Sequence, residues 1–539
     1  MKKVFEPPRD ENMMQAAQDT IPCTRAGGKW VLAATIIGSS MAFIDGTVVH
    51  VALPVLQAEL NATVTGVQWI IESYTLFLAA LILVGGALGD LLGRRRIFAS
   101  GVVLFAAASI WCGLAPSIEQ LIIARGIQGA GGALLVPGSL AIISASYKDE
   151  QRGRAIGTWA GFTTITAALG PVLGGWLIEN ISWRLIFFIN VPLAAVVLGI
   201  LIRCVPESRD PSASVRLDWR GALLATTGLG AIVYGLIESA PLGLSHPVVL
   251  GSLAVGAVAL ILFIAVEASS QAAIMPLALF RSRTFSGANI LTLFLYAALG
   301  AALFFYPFNL IQVQGYSATA AGAAFLPLVL VIFGLSRWAG GLINRFGARL
   351  PLTLGSFIAA TGYVLLAVPG IGGSYWETFF PGIIVLGLGM AISIAPLTST
   401  VMSAVETRQA GLASGINNAV SRMAMLLSIA VTGILILHVF NHDLDSRLAM
   451  LEIPPEAKQI IDNQRIRLAG AEIPAGLSSK VSAALKHAIN ESFVTGFRWI
   501  MLTAAGLALA GALSAWLMIA GQKPDLRPDK AVSLRQHPN

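Results

Sequence analysis

The chain has 539 residues, of which 56% are hydrophobic and 12% are charged, and its formal net charge is +7. Soluble domains carry about 25% charged residues, so this composition excludes a soluble globular protein and indicates a polytopic membrane protein. The basic residues are scattered over short segments between apolar runs and form no basic domain, so we expect no nucleic-acid partner. Residues 1–29 are polar and lack the apolar core of a cleavable signal, which predicts a cytoplasmic tail.

Fourteen segments are long and apolar enough to be membrane-spanning helices, each of which needs about 20 residues. We therefore predict an all-α polytopic membrane protein. The predicted spans begin near Trp30, Gln68, Ile97, Glu119, Gly153, Arg184, Asp218, Pro247, Ser286, Ala320, Leu350, Thr378, Gly411 and Phe493.

The distribution of Lys and Arg supports this number of spans. The loops after spans 1, 3, 7, 9 and 11 contain neither residue, whereas the loops after the even-numbered spans contain one or both. Basic loops stay on the cytoplasmic side, and one span too many or too few would reverse every later loop. We therefore expect both termini in the cytoplasm and the protein in a bacterial inner (plasma) membrane.

A repeated pattern divides the chain into two halves. Gly86-x-Leu88-x-Asp90-x-x-Gly93, after span 2, reappears as Gly340-x-Leu342-x-Asn344-x-x-Gly347 after span 10. Internal repeats of this kind build many transporters, with the substrate site between the halves near the midplane. The predicted divisions are a cytoplasmic tail (1–29), an N-terminal six-helix half (30–205), a two-helix insert (206–270), a C-terminal six-helix half (271–520) with an outer loop (441–492), and a second cytoplasmic tail (521–539).

Five motifs in chain order resemble those of the major facilitator superfamily, and in particular its fourteen-helix drug:proton antiporter branch of EmrB/QacA-type exporters. The motifs depart from the family's usual pattern at three positions. His50 stands where an asparagine is usual, Leu91 where a basic residue is usual, and Thr166 where a glycine is usual. The motifs are Ile44–Pro54 in span 1, Gly86–Arg96 between spans 2 and 3, Arg125–Gly131 in span 4, Gly170–Gly175 in span 5 and Ser182–Pro192 at span 6. The resemblance implies a major facilitator fold, with proton-coupled efflux of small organic molecules by alternating access.

Charged residues within spans are costly, so each is a functional candidate. Asp45, Glu72 and Arg125 are expected at similar depth, where a carboxylate beside an arginine can load and release a proton. The resemblance also associates the motif of Arg125 with proton transfer. Three readings remain open: proton coupling by Asp45, a static Asp45–Arg125 pair, or Glu72 as the main proton site.

Two glycine-containing motifs are candidate moving parts. Gly86, Asp90, Gly93 and Arg94 are expected to form an inner-face gate, in which Asp90 and Arg94 act as a latch or, alternatively, as a solvated helix cap. Gly170, Pro171, Gly174 and Gly175 form the antiporter motif of helix 5, which we expect to bend the helix and seal the two halves. Simple tight packing is the alternative.

The expected substrate cavity contains six residues: Tyr74, Trp159, Phe162, Tyr296, Asn417 and Arg422. Plain packing or lipid contact is the alternative for each aromatic side chain, and binding to backbone carbonyls is the alternative for Arg422. The spans offer few uncompensated acids, so neutral, monocationic or weakly anionic amphiphiles are expected over dications.

No phosphate-binding loop and no metal or nucleophile constellation is present, so we expect no enzyme, no cofactor and no metal, with the proton gradient as the energy source. Partners are then a small organic substrate, protons and the lipid bilayer. A periplasmic adaptor with an outer-membrane channel is a further candidate, and a monomer is expected. Export of an endogenous metabolite, lipid or siderophore is the alternative function, and a membrane sensor a remote one.

Overall fold

A computed structural model of the chain describes residues 27–147, 149–209, 219–270, 275–406, 409–451, 453–474 and 476–521. Within these ranges, fourteen helices are long and apolar enough to cross a membrane, which confirms the predicted fold class and number of spans. The helices are α1 (Gly27–Glu59), α2 (Val64–Leu92), α3 (Arg94–Leu114), α4 (Ile118–Ser146), α5 (Asp149–Asn180), α6 (Leu185–Cys204), α7 (Trp219–Leu242), α8 (Pro247–Ser269), α9 (Arg283–Phe308), α10 (Ala318–Phe346), α11 (Arg349–Ala367), α12 (Phe380–Ser403), α13 (Ala410–Leu448) and α14 (Ser479–Met518).

The helices pack as two bundles of six, α1–α6 and α9–α14. The remaining pair, α7 and α8, lies between the two bundles in the sequence. In the first bundle α2 and α3 pack on α4, and α1 packs on α5. In the second, α11 packs on α12 and α14, while α9 packs on α13 and α14.

The inserted pair α7–α8 is attached to both bundles through one helix. Helix α7 lies against α2 and α13, while α8 packs mainly on α7. The Trp69 indole of α2 donates a hydrogen bond to Glu238 of α7 at 3.1 Å and stacks near Tyr234. The insert therefore lies at the junction of the two halves, away from the helices α5 and α10.

We name the two membrane faces by their contents. The arginine face carries the turn from α2 to α3 with Arg94–Arg96, and the cap face carries the segment between α13 and α14. On the arginine face, Gly93 ends α2 with φ 116° and Gly347 ends α10 with φ 73°. Positive φ is costly for residues with a Cβ atom, so the repeated motif places glycine where each half makes this turn.

The last two long helices extend well beyond the membrane. Helices α13 and α14 have 39 and 40 residues, or about 60 Å each at 1.5 Å per residue, against a hydrocarbon core of about 30 Å. Helix α14 thus begins at Ser479, before the predicted start near Phe493, because Leu485 and Ile489 continue its buried face.

The predicted outer loop 441–492 is therefore largely helical at both ends. Its remaining part, residues 449–478, is called the cap here and contains a helix (Pro455–Gln464) and a 3-10 turn (Arg465–Gly470). The Gln57 side chain of α1 donates to the Arg467 carbonyl of this turn at 3.3 Å, and Gln312 after α9 donates to Gln57 at 2.8 Å. The cap thus connects the second half to the end of α1.

Candidate functional site

A buried ion pair joins α1 and α4 near the middle of the first half. Asp45 is residue 19 of the 33 in α1, and its Oδ2 lies 2.5 Å from Nη1 of Arg125 on α4. Both side chains have 0% exposure. A charge-assisted hydrogen bond in a dry environment is strong, and breaking it leaves a buried charge without compensation.

Gln128 completes the pair into a network. Its Nε2 donates to Asp45 Oδ1 at 2.8 Å and to Ser109 of α3 at 2.8 Å, while its Oε1 accepts from Arg125 Nη1 at 2.7 Å. The sequence motif contained Gln128, but its bridging role was not predicted. The spacing of three residues from Arg125, which puts both side chains on one helix face, was the available signal.

Helix α2 supplies two further contacts to the guanidinium of Arg125. Its Nε donates to the Ile70 carbonyl at 3.1 Å, and its Cζ lies 4.2 Å from the centre of the Tyr74 ring. Residues of α1, α2 and α4 therefore contact the Arg125 guanidinium directly, and Ser109 of α3 is linked to it through Gln128.

Glu72, which was expected at a depth similar to that of Asp45 and Arg125, makes no hydrogen bond or ion pair with either residue. Glu72 is fully buried, and neither of its carboxylate oxygens has a hydrogen-bond partner among the described residues. Its helical neighbours Trp69 and Leu76 face α7, the former bonding Glu238 and the latter packing in an apolar cluster with α7 and α13. Glu72 is two residues from Tyr74, whose ring faces the Arg125 guanidinium, and two residues span about 200° around a helix, so Glu72 lies on another side of α2.

A cavity of about 440 Å³ lies between the two halves. Its walls come from α1, α2, α4 and α5 of the first half and from α9, α10 and α13 of the second. The volume is within the range of pockets for drug-sized ligands, and most of the wall is apolar. Its lining includes Phe43, His50, Tyr74, Tyr296, Phe325 and Arg422.

Three of the six expected cavity residues do not line this cavity. Trp159 donates its indole N–H to Ser39 at 3.0 Å and packs edge-on against Phe43. Phe162 on α5 is 52% exposed. Asn417 is held by α9, where it donates to Asn289 at 3.1 Å and to Thr292 at 2.6 Å. Its neighbour Asn418 lines the cavity in its place.

The glycines of the helix 5 motif lie at two close helix contacts. A Cβ atom on Gly170 would be 2.3 Å from Thr47 Oγ1, so this glycine permits the approach of α1. On the side of α10, a Cβ on Gly175 would be 2.3 Å from the Ala318 carbonyl oxygen. A Cβ atom on Gly174 would lie even closer to the side chain of Val48 on α1.

Helices α5 and α10 form the closed contact between the halves on the cap face. A Cβ on Gly322 of α10 would meet the Pro171 carbonyl oxygen at 2.1 Å, so the two backbones touch there. Near the end of α5, Glu179 accepts hydrogen bonds from the Thr319 backbone N–H at 3.3 Å and from the Thr319 hydroxyl at 2.5 Å. These contacts close the cavity toward the cap face.

The same two helices separate toward the arginine face. A Cβ atom on Gly157 or Gly161 of α5, or on Gly334 or Gly341 of α10, would meet no heavy atom within 4 Å. The molecule is therefore closed at the cap face and open toward the arginine face.

The expected gate residues lie at the turn on the arginine face. The Arg94 guanidinium pairs with Asp90 at 2.8 Å, and both side chains are partly exposed. Gly86 lies beside Pro137 of α4, where a Cβ would make an ordinary contact at 3.7 Å. The structure thus brings Asp90 and Arg94 together as predicted.

Glu207, which the sequence reasoning missed, fixes this turn from the segment after α6. Its carboxylate accepts from the backbone N–H of Arg95 at 3.0 Å and of Arg96 at 3.2 Å. A Cβ on Gly93 would lie 2.7 Å from this carboxylate, a second reason for glycine there. A carboxylate at the N-terminus of α3 is favourable for the exposed N–H groups and the helix dipole.

Two six-helix halves around a shared apolar cavity define a membrane transporter. The chain belongs to the Major Facilitator Superfamily, whose sequence profile matches residues 35–429. It is 34% identical over 495 residues to the multidrug resistance protein Stp of Mycobacterium tuberculosis strain CDC 1551, covering 90% of this chain and 91% of Stp. It is 32% identical over 514 residues to the tetracenomycin C resistance and export protein of Streptomyces glaucescens, covering 93% of each.

Among solved structures, the chain resembles a bacterial homolog of the human lysosomal transporter Spinster in an inward-facing, unoccupied conformation. The TM-score is 0.64 at 18% identity, covering 91% of this chain and 98% of the other. This likeness concerns the fold. Together with the relatives, it confirms the family resemblance of the sequence motifs.

Proposed function

We propose that this transporter exports small organic molecules from the cytoplasm in exchange for protons. The arginine face would then be cytoplasmic and the cap face would be outside, in the inner membrane of a bacterium. The excess of Lys and Arg in the even-numbered loops supports this orientation. The names of two relatives, a multidrug resistance protein and an antibiotic export protein, support a drug-like substrate.

The buried Asp45–Arg125–Gln128 network is the observation that carries the proposal. Asp45 and Arg125 both have 0% exposure, and Arg125 is one of the residues that surround the cavity. A proton on Asp45 removes the negative charge that holds Arg125, and its release restores the pair. Because an uncompensated buried charge costs several kcal/mol, proton binding at Asp45 and movement of Arg125 are coupled.

Alternating access supplies the exchange. With the cap face closed by α5 and α10, a substrate enters the cavity from the arginine face. When these helices part at the cap face, the substrate leaves and Asp45 receives a proton from that side. Transport needs no bound nucleotide in this scheme, since the proton gradient provides the driving force.

Reconstitution tests the proposal. The purified protein in liposomes is given an imposed pH gradient and three fluorescent probes: ethidium as a monocation, 1-anilinonaphthalene-8-sulfonate as a monoanion and N-phenyl-1-naphthylamine as a neutral compound. We expect gradient-dependent accumulation of at least one probe that a protonophore abolishes. Accumulation that is indifferent to the pH gradient and the protonophore would overturn proton coupling.

A further inference from the structure

The cavity contains a positive charge that the protein itself does not balance. Arg422 of α13 lines the cavity and forms no ion pair or hydrogen bond with any residue that the structure describes. Its guanidinium nitrogens are not among the buried atoms that lack a partner, so they remain accessible from the cavity. An arginine in this position presents a planar set of donors to whatever occupies the space.

The other charged groups near the cavity compensate one another or point elsewhere. Arg125 is neutralised by Asp45 at 2.5 Å. Glu72, the other acid of the first-half spans, does not line the cavity, and no Asp or Glu is present among its described lining residues. The remaining titratable groups on the wall are His50, Tyr74 and Tyr296. With His50 neutral, the cavity therefore carries a net charge of one positive unit.

The aromatic wall is also poorly arranged for a cation. Tyr74, the aromatic ring beside the ion pair, already has the Arg125 guanidinium 4.2 Å from its centre. A second cation at this ring would meet that positive charge. Phe43, Tyr296 and Phe325 remain as apolar contacts for rings or alkyl groups of a ligand.

We infer that the cavity takes aromatic amphiphiles with a single negative charge, whose carboxylate, phenolate or sulfonate group pairs with Arg422. This narrows the expected substrate class from neutral, monocationic or weakly anionic compounds to monoanions, and it rests on the proposed export function. The planar guanidinium favours oxyanions that accept two parallel hydrogen bonds. The apolar walls contact the rest of the ligand, which gives the class its amphiphilic character.

Binding to the full-length protein in nanodiscs of phosphatidylcholine tests this assignment without any need for transport. The probes 1-anilinonaphthalene-8-sulfonate and N-phenyl-1-naphthylamine share one ring system and differ in the sulfonate, and tetraphenylphosphonium serves as the cation. Empty nanodiscs give the lipid background. For Arg422→Gln we expect at least a tenfold loss of affinity for the sulfonate, less than a threefold change for the neutral probe, and no loss for the cation.

Two further variants separate pairing from a structural effect. Arg422→Lys keeps the charge and is expected to retain part of the preference for the sulfonate. Arg337→Gln removes an exposed arginine of α10 that does not line the cavity, and is expected to leave all three affinities unchanged. Equal losses for the sulfonate and the neutral probe in Arg422→Gln, or an equal effect of Arg337→Gln, would overturn the inference.

The outcome is distinguishable from failure of the proposed function. If the sulfonate binds through Arg422 but no probe is moved by a pH gradient, the export proposal fails and the anion site stands. If probes are moved by the gradient while Arg422→Gln leaves the sulfonate affinity intact, only the anion site fails.

Discussion

Asp45 has two carboxylate oxygens, and each is satisfied by a different residue of α4. Arg125 lies 2.5 Å from one oxygen, and Gln128 donates to the other at 2.8 Å. An asparagine at position 45 has nearly the same shape and can accept one of these hydrogen bonds, but it cannot take up a proton. Asp45→Asn therefore separates the chemical role of this residue from its packing.

We expect Asp45→Asn to insert and fold but to lose accumulation of substrate driven by a pH gradient. Its stability should fall, because Arg125 loses its counter-charge, and the cost of leaving a buried charge unpaired is about 3–5 kcal/mol. Gradient-driven transport in liposomes measures the activity, and thermal unfolding in detergent measures the stability.

Glu72→Gln is the matched control, since it also removes a carboxylate from a span of the first half. Glu72 has no partner in the network, so this variant is expected to keep gradient-driven transport. The opposite pattern, with Glu72→Gln inactive and Asp45→Asn active, would show that Glu72 is the proton site. Activity in both single variants would reject both assignments.

Much of the residue-level site was accessible from the sequence, because a charge in an apolar span is conspicuous. Asp45 and Arg125 were found in this way, and so was Arg422. The side of α2 on which Glu72 lies could not be predicted. Its depth in the membrane resembles that of Asp45, but its direction around α2 depends on how α7 and α13 pack there. Glu207 was missed because it is an ordinary acid in a loop, more than 100 residues from the turn it holds.

At the scale of single helices, the contact of α5 with α10 determines which face is closed. Gly175 and Gly322 allow the two backbones to touch near the cap face, whereas Gly157 of the same α5 faces open space. A side chain at position 175 must therefore push α10 away, while the same side chain at position 157 meets nothing in this state.

We expect Gly175→Val to shift the population away from the state closed at the cap face. Spin labels at Asn180 and Ala320, both exposed near this contact, should report a longer mean distance in Gly175→Val than in the parent protein. Gly157→Val, which adds the same side chain to the same helix, should leave that distance unchanged. An unaltered distance distribution in Gly175→Val would mean that this contact does not govern closure.

The turn from α2 to α3 offers a second test at this scale. The Asp90–Arg94 pair is partly exposed, so its loss should change the free energy of unfolding by about 0–1 kcal/mol. It lies at the arginine face, outside the cavity, where the halves are apart in this state. Asp90→Ala is therefore expected to lower turnover several-fold while leaving the affinity for transported probes within about twofold.

Equilibrium binding in nanodiscs and initial transport rates in liposomes measure these two quantities for the Asp90 variant. Arg337→Gln, at an exposed position of α10, controls for loss of a charged side chain near the same face. A collapse of binding with normal turnover of the bound probe would show that Asp90 acts on the cavity and not on the conformational change.

For the whole molecule, the number of helices followed directly from hydropathy and from the alternation of basic loops. The packing of the helices against one another could not be predicted in this way, because it depends on contacts between segments that are distant in sequence. Helix α7 fits the junction of α2 and α13, and the cap bonds to α1, but neither contact leaves a periodic signal in the sequence. The predicted spans for α13 and α14 were shorter than the helices for a related reason. The outer turns of both helices are amphipathic and charged, so a prediction from hydropathy alone ends each helix at the membrane boundary.

The two halves share one cavity, which is closed at the cap face and open at the arginine face. If this cavity exchanges substrate for protons, movement of the substrate must move protons in the opposite direction, and this proton flux can be measured. In liposomes loaded with a pH-sensitive dye and given no initial pH gradient, an outward gradient of a transported probe should drive protons inward, and Asp45→Asn should abolish this flux. Probe efflux by the parent protein without any change in internal pH would contradict proton exchange by this transporter.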